Sequence, residues 1–127
     1  MREIKFRFWD GDKKEMMHWH ELRLLRWVQF ESFAAIYNSS VMQYIGNIDK
    51  NGIDIYEGDI VKYTYLRYRK PVEVVTDVFW QYNGFYLRHN ETKLIDSRVL
   101  TLSHKLLEVI GSIYQNPELL KNYPNQP

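Results

Sequence analysis

The sequence contains no cysteine, which excludes a disulfide scaffold, a thiolate nucleophile and a thiolate zinc site. It also lacks long apolar runs. Charges interrupt the first ten residues at every second or third position, so they do not make the apolar stretch of about 7–15 residues that a secretory signal needs. No window approaches the roughly 20 apolar residues of a spanning helix. Neither sign of charge is in excess: 17 basic side chains face 16 acidic ones, so the molecule as a whole is no polycation. The glycine patterns that cradle phosphates are missing, and so is the Gly-x-Ser-x-Gly elbow of hydrolases. Ser39 and Ser40 have no neighbouring base that the sequence identifies. Together these absences point to a soluble cytoplasmic protein with no membrane association, no catalytic activity, no cofactor and no small-molecule substrate.

What is present is a globular composition. Of 127 residues, 45% are hydrophobic, and the aromatics number 10 Tyr, 6 Phe and 4 Trp. Disordered chains are poor in aromatics, and a chain of this length can bury roughly two-thirds of its unfolded surface. The expectation is one domain over residues 1–121, with residues 122–127 (NYPNQP) as a flexible tail.

Periodicity predicts mostly strands. Ile4, Phe6 and Phe8 alternate with Lys5, Arg7 and Trp9, the pattern of a strand with one face on a core. Asp10 to Lys14 reads as a turn, and a second strand follows over 15–20. Residues 21–37 fit a helix or a strand. Asn51-Gly52 and Asn83-Gly84 are hairpin cues, because a two-residue turn needs positive φ at both positions. Glu57-Gly58-Asp59 is a further turn. Residues 60–69 read as a long strand, interrupted by Lys70-Pro71 and followed by another over 72–80 and a short aromatic one over 85–88. Ile95, Val99, Leu102 and Leu106 recur at helical spacing. Residues 107–114 form a late strand, with Gly111 a bulge or a point of close approach. Asn116-Pro117-Glu118 reads as a helix start, Asn capping and Pro at the first helical position. The sum is a mainly β fold: an antiparallel bifurcated sheet or small barrel with two or three short helices.

Three blocks carry a family resemblance. They are residues 1–10 (MREIKFRFWD), residues 42–61 with MQYIG, DKNG and IYEGDIV in order, and residues 107–119 (LEVIGSIYQNPEL). In that order and spacing the sequence resembles the YopX family of phage and prophage proteins. It departs mildly from the family pattern at Ile45, Ser112 and Gln115, where the family has Thr, Asn and Glu. The resemblance implies a mainly β fold with a bifurcated sheet, and an origin in phages or prophages of Gram-positive bacteria. It implies no catalytic residue, because the family has no assigned activity.

Four features invite a functional reading. The oxygen ligands of Asp49, Asn51, Asp54, Glu57 and Asp59 suggest calcium, but counting from Asp49 puts Ile53, Asp54 and Ile60 where an EF-hand loop needs a ligand, a glycine and a glutamate. His18 and His20 would share one face of a strand, two ligands where an open zinc site needs three. Residues 62–70 (KYTYLRYRK) hold four cations, no acid and three tyrosines. Phosphate neutralisation beside stacking rings is the chemistry of single-strand recognition. Lys62, Tyr63, Tyr65, Arg67, Arg69 and Lys70 are therefore candidate nucleic-acid contacts, with Tyr63, Tyr65, Arg67 and Arg69 on one face. The alternative is that this run and the acidic 49–59 run neutralise each other across a hairpin. Finally, Phe79, Trp80, Tyr82, Phe85 and Tyr86 crowd one hairpin, and exposed rings mark protein contacts. The leading expectation is a protein-interaction or self-assembly module, a homo-oligomer or a binder of a host or phage protein. Nucleic-acid binding through 62–70 is the alternative.

Overall fold

The computed structural model of the chain describes residues 3–22, 39–81, 84–87 and 106–121. They form β1 (Phe6–Asp10), β2 (Glu15–Met17), α1 (Trp19–Leu22), β3 (Ser39–Ile48), β4 (Asp54–Tyr56), β5 (Asp59–Arg67), β6 (Lys70–Gln81), β7 (Gly84–Leu87), β8 (Glu108–Ser112) and α2 (Glu118–Lys121). The fold is mainly β, and its registered strand pairs are antiparallel. The chain divides into two compact units, Met1–Tyr44 and Ile45–Pro127. Among the described residues no helix is long and apolar enough to cross a membrane. The ambiguous segment beyond Leu22, the helical stripe at Ile95, Val99 and Leu102, and the tail 122–127 lie outside the described residues.

In the first unit β1 is central, with β2 on one side and β3 on the other. Phe8 and Met42 are its most buried apolar side chains. The alternation predicted for β1 holds for Phe8 only in part of its length. Ile4 precedes the strand and is exposed, whereas Arg7 is buried and its Nη2 donates to Met42 Sδ at 3.4 Å. The turn over 10–14 is a four-residue loop between Asp10 and Glu15. Asp10 Oδ1 shapes it by accepting the N–H groups of Asp12 (3.0 Å) and Lys13 (3.1 Å). The second strand stops at Met17 rather than His20. The reason is local: Glu21 Oε1 accepts the His18 N–H, and the His18 carbonyl accepts the N–H groups of Glu21 and Leu22. That reciprocal cap winds the next residues into a helical turn.

In the second unit four strands pair in the order β7-β6-β5-β8. The end of β3 and β4 flank a hairpin. Ile45, Ile55, Val61, Val78, Phe85, Leu87 and Leu107 form the core, with Tyr63 and Val109 packed against it. Residue pairing shifts between Ile60↔Gly111 and Val61↔Val109, so Ile110 is the extra residue of a bulge beside Gly111. The Asn51-Gly52 hairpin is not the two-residue turn its sequence predicts. Only Gly52 has positive φ (81°), the Gly52 N–H bonds the Asp49 carbonyl, and the Asp49 N–H bonds Ile53. This is a three-residue loop with the glycine in the left-handed position. The second cue marks a tight hairpin but is offset from its loop: Gly84 already opens β7 and pairs with Gln81, so it is not a turn residue; the residues between them lie outside the described ones.

The long β5–β6 hairpin differs from its sequence reading at the tip. Its turn is Tyr68-Arg69, not Lys70-Pro71: register runs unbroken from Ile60↔Asp77 to Arg67↔Lys70. Pro71 therefore lies inside β6, opposite Leu66. In a two-residue hairpin the pair flanking the turn exchanges hydrogen bonds and the next pair does not. The missing N–H of Pro71 consequently points away from β5, toward an edge where, among the described residues, β7 pairs with Val78–Gln81 and no further. Tyr68 (φ 51°) and Arg69 (φ 63°) are both left-handed, as a primed turn requires. Side chains there cost roughly 1 kcal/mol or more each. Replacing them with the turn's preferred pair, Tyr68→Asn with Arg69→Gly, should raise unfolding free energy by about 1–2 kcal/mol. Denaturant titration checks this, and an unchanged or lower midpoint would show that the turn is unstrained.

Candidate interaction surface

Asp49, Asp59, Ser112 and Asn116 of the resemblance blocks turn their side chains toward the backbone. Asp49 is 3% exposed. Its Oδ1 accepts the N–H groups of Asn51 (2.8 Å) and Ile53 (2.9 Å), and its Oδ2 accepts the Val109 N–H at 2.9 Å. The Lys50 N–H adds a bond to the Leu107 carbonyl, and Lys50 Nζ lies 3.3 Å from Glu108 Oε2. One carboxylate thus shapes the β3–β4 turn and fastens β8 to it. With both oxygens holding N–H groups, Asp49 is not presented as a calcium ligand.

A second brace forms around Gly58 (φ 85°). Its N–H bonds the Val78 carbonyl at 2.7 Å, and its carbonyl accepts the Ile113 N–H at 2.8 Å. Asp59, fully buried, turns Oδ2 back to the Tyr56 N–H at 2.8 Å. A third lies beyond β8. Ser112 Oγ accepts the Gln115 N–H, and the Ser112 carbonyl accepts the Asn116 N–H. Asn116 Oδ1 reaches back to the Ser112 N–H at 3.3 Å. The asparagine precedes α2 as the sequence predicts, and its carbonyl accepts the Leu119 N–H. Its side chain, however, lies over Gly111, where an added Cβ would meet Oδ1 at 2.5 Å. Gly111 is a point of close approach and also adjoins the bulge.

The candidate nucleic-acid residues are dispersed by this frame. Lys62 sits 3.6 Å from Glu108 Oε2, the carboxylate that also faces Lys50. Tyr63 is half-buried against the core. Of Tyr65 only the backbone in β5 is described. Arg67 ends β5, Arg69 is in the turn and Lys70 opens β6; all three are exposed. Arg69 is therefore not on the strand face predicted with Tyr63, because the chain has already reversed. Two of the acids of 49–59 are used elsewhere. Asp49 and Asp59 are buried in their turns, and the acid that meets Lys62 is Glu108.

Two residues outside the candidate set dominate the tip. Leu66 is 71% exposed and Tyr68 88%. The Arg67 guanidinium lies 5.8 Å from the Tyr68 ring centre. The missed signal was the turn: once Tyr68-Arg69 reverses the chain, Leu66, Tyr68 and Pro71 gather at one end with the cations. The aromatic hairpin is less open than its composition predicts. Phe85 is buried, Phe79 and Tyr86 are half-buried and pair at 6.2 Å, and Trp80 packs edge-on to Phe85 at 4.9 Å while staying half exposed. Tyr82 lies outside the described residues. His18 and His20 stack with ring centres 6.2 Å apart. Among the described residues no group of three or more His, Asp or Glu is placed to hold a metal ion.

The model of the YopX protein family matches residues 5–121. The chain belongs to the YopX family. Its fold is similar to the crystal structure of protein EF1440 from Enterococcus faecalis, with a TM-score of 0.64 over 94% of this chain and 99% of that one. At 23% identity this likeness concerns the fold alone. No curated protein matches the chain. In this YopX protein, Asp49, Gly58, Gly111 and Asn116 from the resemblance blocks all serve the backbone frame.

Two stability effects follow. Asp49→Ala leaves three N–H groups without their acceptor and should cost about 2–4 kcal/mol in denaturant unfolding. Asp49→Asn should cost nearly as much, because one of its two ends is then a donor facing a donor. A loss under 1 kcal/mol for both would remove Asp49 as the staple. Gly111→Ala should cost roughly 1–3 kcal/mol by overpacking. That loss should shrink in an Asn116→Gly background, where the side chain that the new methyl meets is gone; full additivity in the double-mutant cycle would contradict the contact.

Proposed function

We propose that this YopX protein is a phage- or prophage-type accessory protein that works as a cytoplasmic, non-catalytic interaction module. It contacts another protein, a second copy of itself included, through the tip of the β5–β6 hairpin. The observation that carries this reading is the exposure of Leu66 and Tyr68 beside Arg67, Arg69 and Lys70. Tyr and Arg are enriched in protein interfaces. An exposed leucine offers nothing to a phosphate backbone. The phage setting rests on what the resemblance of the three sequence blocks implies.

Nucleic acid is the second reading, favoured by the exposure of Arg67, Arg69 and Lys70. Against it stand the pairing of Lys62 with Glu108 and the packing of Tyr63 on the core, which thin both the cationic track and the stacking rings.

A photocrosslinking phenylalanine analogue in place of Tyr68, in living cells of the natural host, tests the module reading. A discrete protein adduct should form at Tyr68 and not at the exposed control position Lys13. Its mass distinguishes a second copy from another protein. No adduct, or equal labelling at Lys13, would overturn the protein-contact reading. An adduct removed by nuclease would replace it with nucleic-acid binding.

A further inference from the structure

Taking the hairpin tip as the contact surface, we infer that its partner is an acidic protein segment bearing an apolar side chain. Tyr68 and Leu66 take the apolar group, and Arg69 and Lys70 face the carboxylates. From Lys62 to Val72 the sequence holds no acid, and Arg69 and Lys70 form no ion pair among the described residues. A tip with this charge repels basic surfaces and attracts acidic ones. Arginine in particular suits carboxylates, because its planar fork matches both oxygens.

The turn supports the same conclusion. A primed turn holds its two central residues in one backbone conformation, with their side chains projecting past the strand ends. Here those residues are Tyr68 and Arg69, both left-handed, where asparagine and glycine would sit without strain. Strained side chains persist where their projection is used. The stiff turn also holds Tyr68 and Arg69 ready before contact, which lowers the ordering cost of binding. The ring of Tyr68 remains 88% exposed although Arg67 lies beside it.

Fluorescence anisotropy with three labelled peptides tests this partner chemistry: alternating Glu-Leu, alternating Gln-Leu and alternating Lys-Leu. A labelled thymidine oligonucleotide is the fourth probe. The wild-type protein should bind Glu-Leu at least tenfold more tightly than either other peptide or the oligonucleotide, and added salt should weaken that binding. Arg69→Glu should lose at least tenfold. Tyr68→Asn with Arg69→Gly should lose binding while Tm rises, which separates lost contact from lost folding. Equal affinity for Glu-Leu and Gln-Leu overturns the acidic partner, as does tighter binding of the oligonucleotide. If the Tyr68 crosslink to protein still forms in that case, the hairpin contact survives and only the partner chemistry falls. If the crosslink is absent as well, both readings fall.

Discussion

The Asp49 carboxylate is the interaction on which the second unit depends. It joins segments 60 residues apart in the chain, the β3–β4 turn and β8, through one oxygen to Val109 and the other to Asn51 and Ile53. The join is needed because the ladder between β5 and β8 is short and broken by a bulge: Asp59↔Ser112, Ile60↔Gly111, then Val61↔Val109 and Lys62↔Glu108. A bulge disrupts the ladder locally, so the strand gains from a second anchor. Charge-assisted bonds to a buried carboxylate are among the stronger hydrogen bonds available. The partly exposed Lys50–Glu108–Lys62 ion pairs beside it add less, since water screens them.

Anchoring β8 fixes where β5 is supported and where it is not. β8 accompanies β5 as far as Lys62, and β7 pairs with β6 from Val78 onward. Between those limits β5 and β6 have each other as registered neighbours among the described residues, out to Arg67↔Lys70. A two-stranded ribbon is marginal by itself. Here it extends from a held base, where Val61, Val75 and Val78 are fully or almost fully buried. Regular register over the whole hairpin lets the ribbon absorb a strained turn at its end. The same geometry explains the change in side-chain environment along β5, from Val61 in the core through half-buried Tyr63 to exposed Leu66.

The predominance of strands was readable from alternation, aromatics and turn residues, because side-chain period and turn chemistry are local. The turn at 57–59 and the helix start after Asn116 were readable for the same reason, and a hairpin near Asn83 was too, although Gly84 belongs to β7 rather than to its loop. What was hidden depended on partners remote in sequence. Asp49 resembles a metal ligand until Val109 is seen beside it, and Asn116 resembles a simple cap until Gly111 is seen beneath its side chain. Pairing overrode local cues at the tip. Lys70-Pro71 breaks a strand in a linear reading, yet register makes Lys70 the first residue of β6 and turns the proline's lost donor outward. Arg7 likewise resembles a surface position in an alternating strand until Met42 is placed opposite it.

The three blocks that identify the family and the surface proposed for contact do not coincide, and the physics of each explains why. A turn that must bend backbone in one way needs particular residues: a carboxylate of fixed reach at Asp49, positive φ at Gly58, an absent Cβ at Gly111. Such requirements make short sequence blocks recognisable. A projecting ribbon needs only register and strand-compatible residues, so its tip is free to carry whatever side chains a partner selects. Leu66, Tyr68, Arg69 and Lys70 satisfy no backbone requirement of the frame, and Tyr68 and Arg69 work against the turn that holds them. The frame accounts for Asp49, Asp59 and Asn116, polar residues that look like chemistry, and it makes no use of the side chains at the hairpin tip.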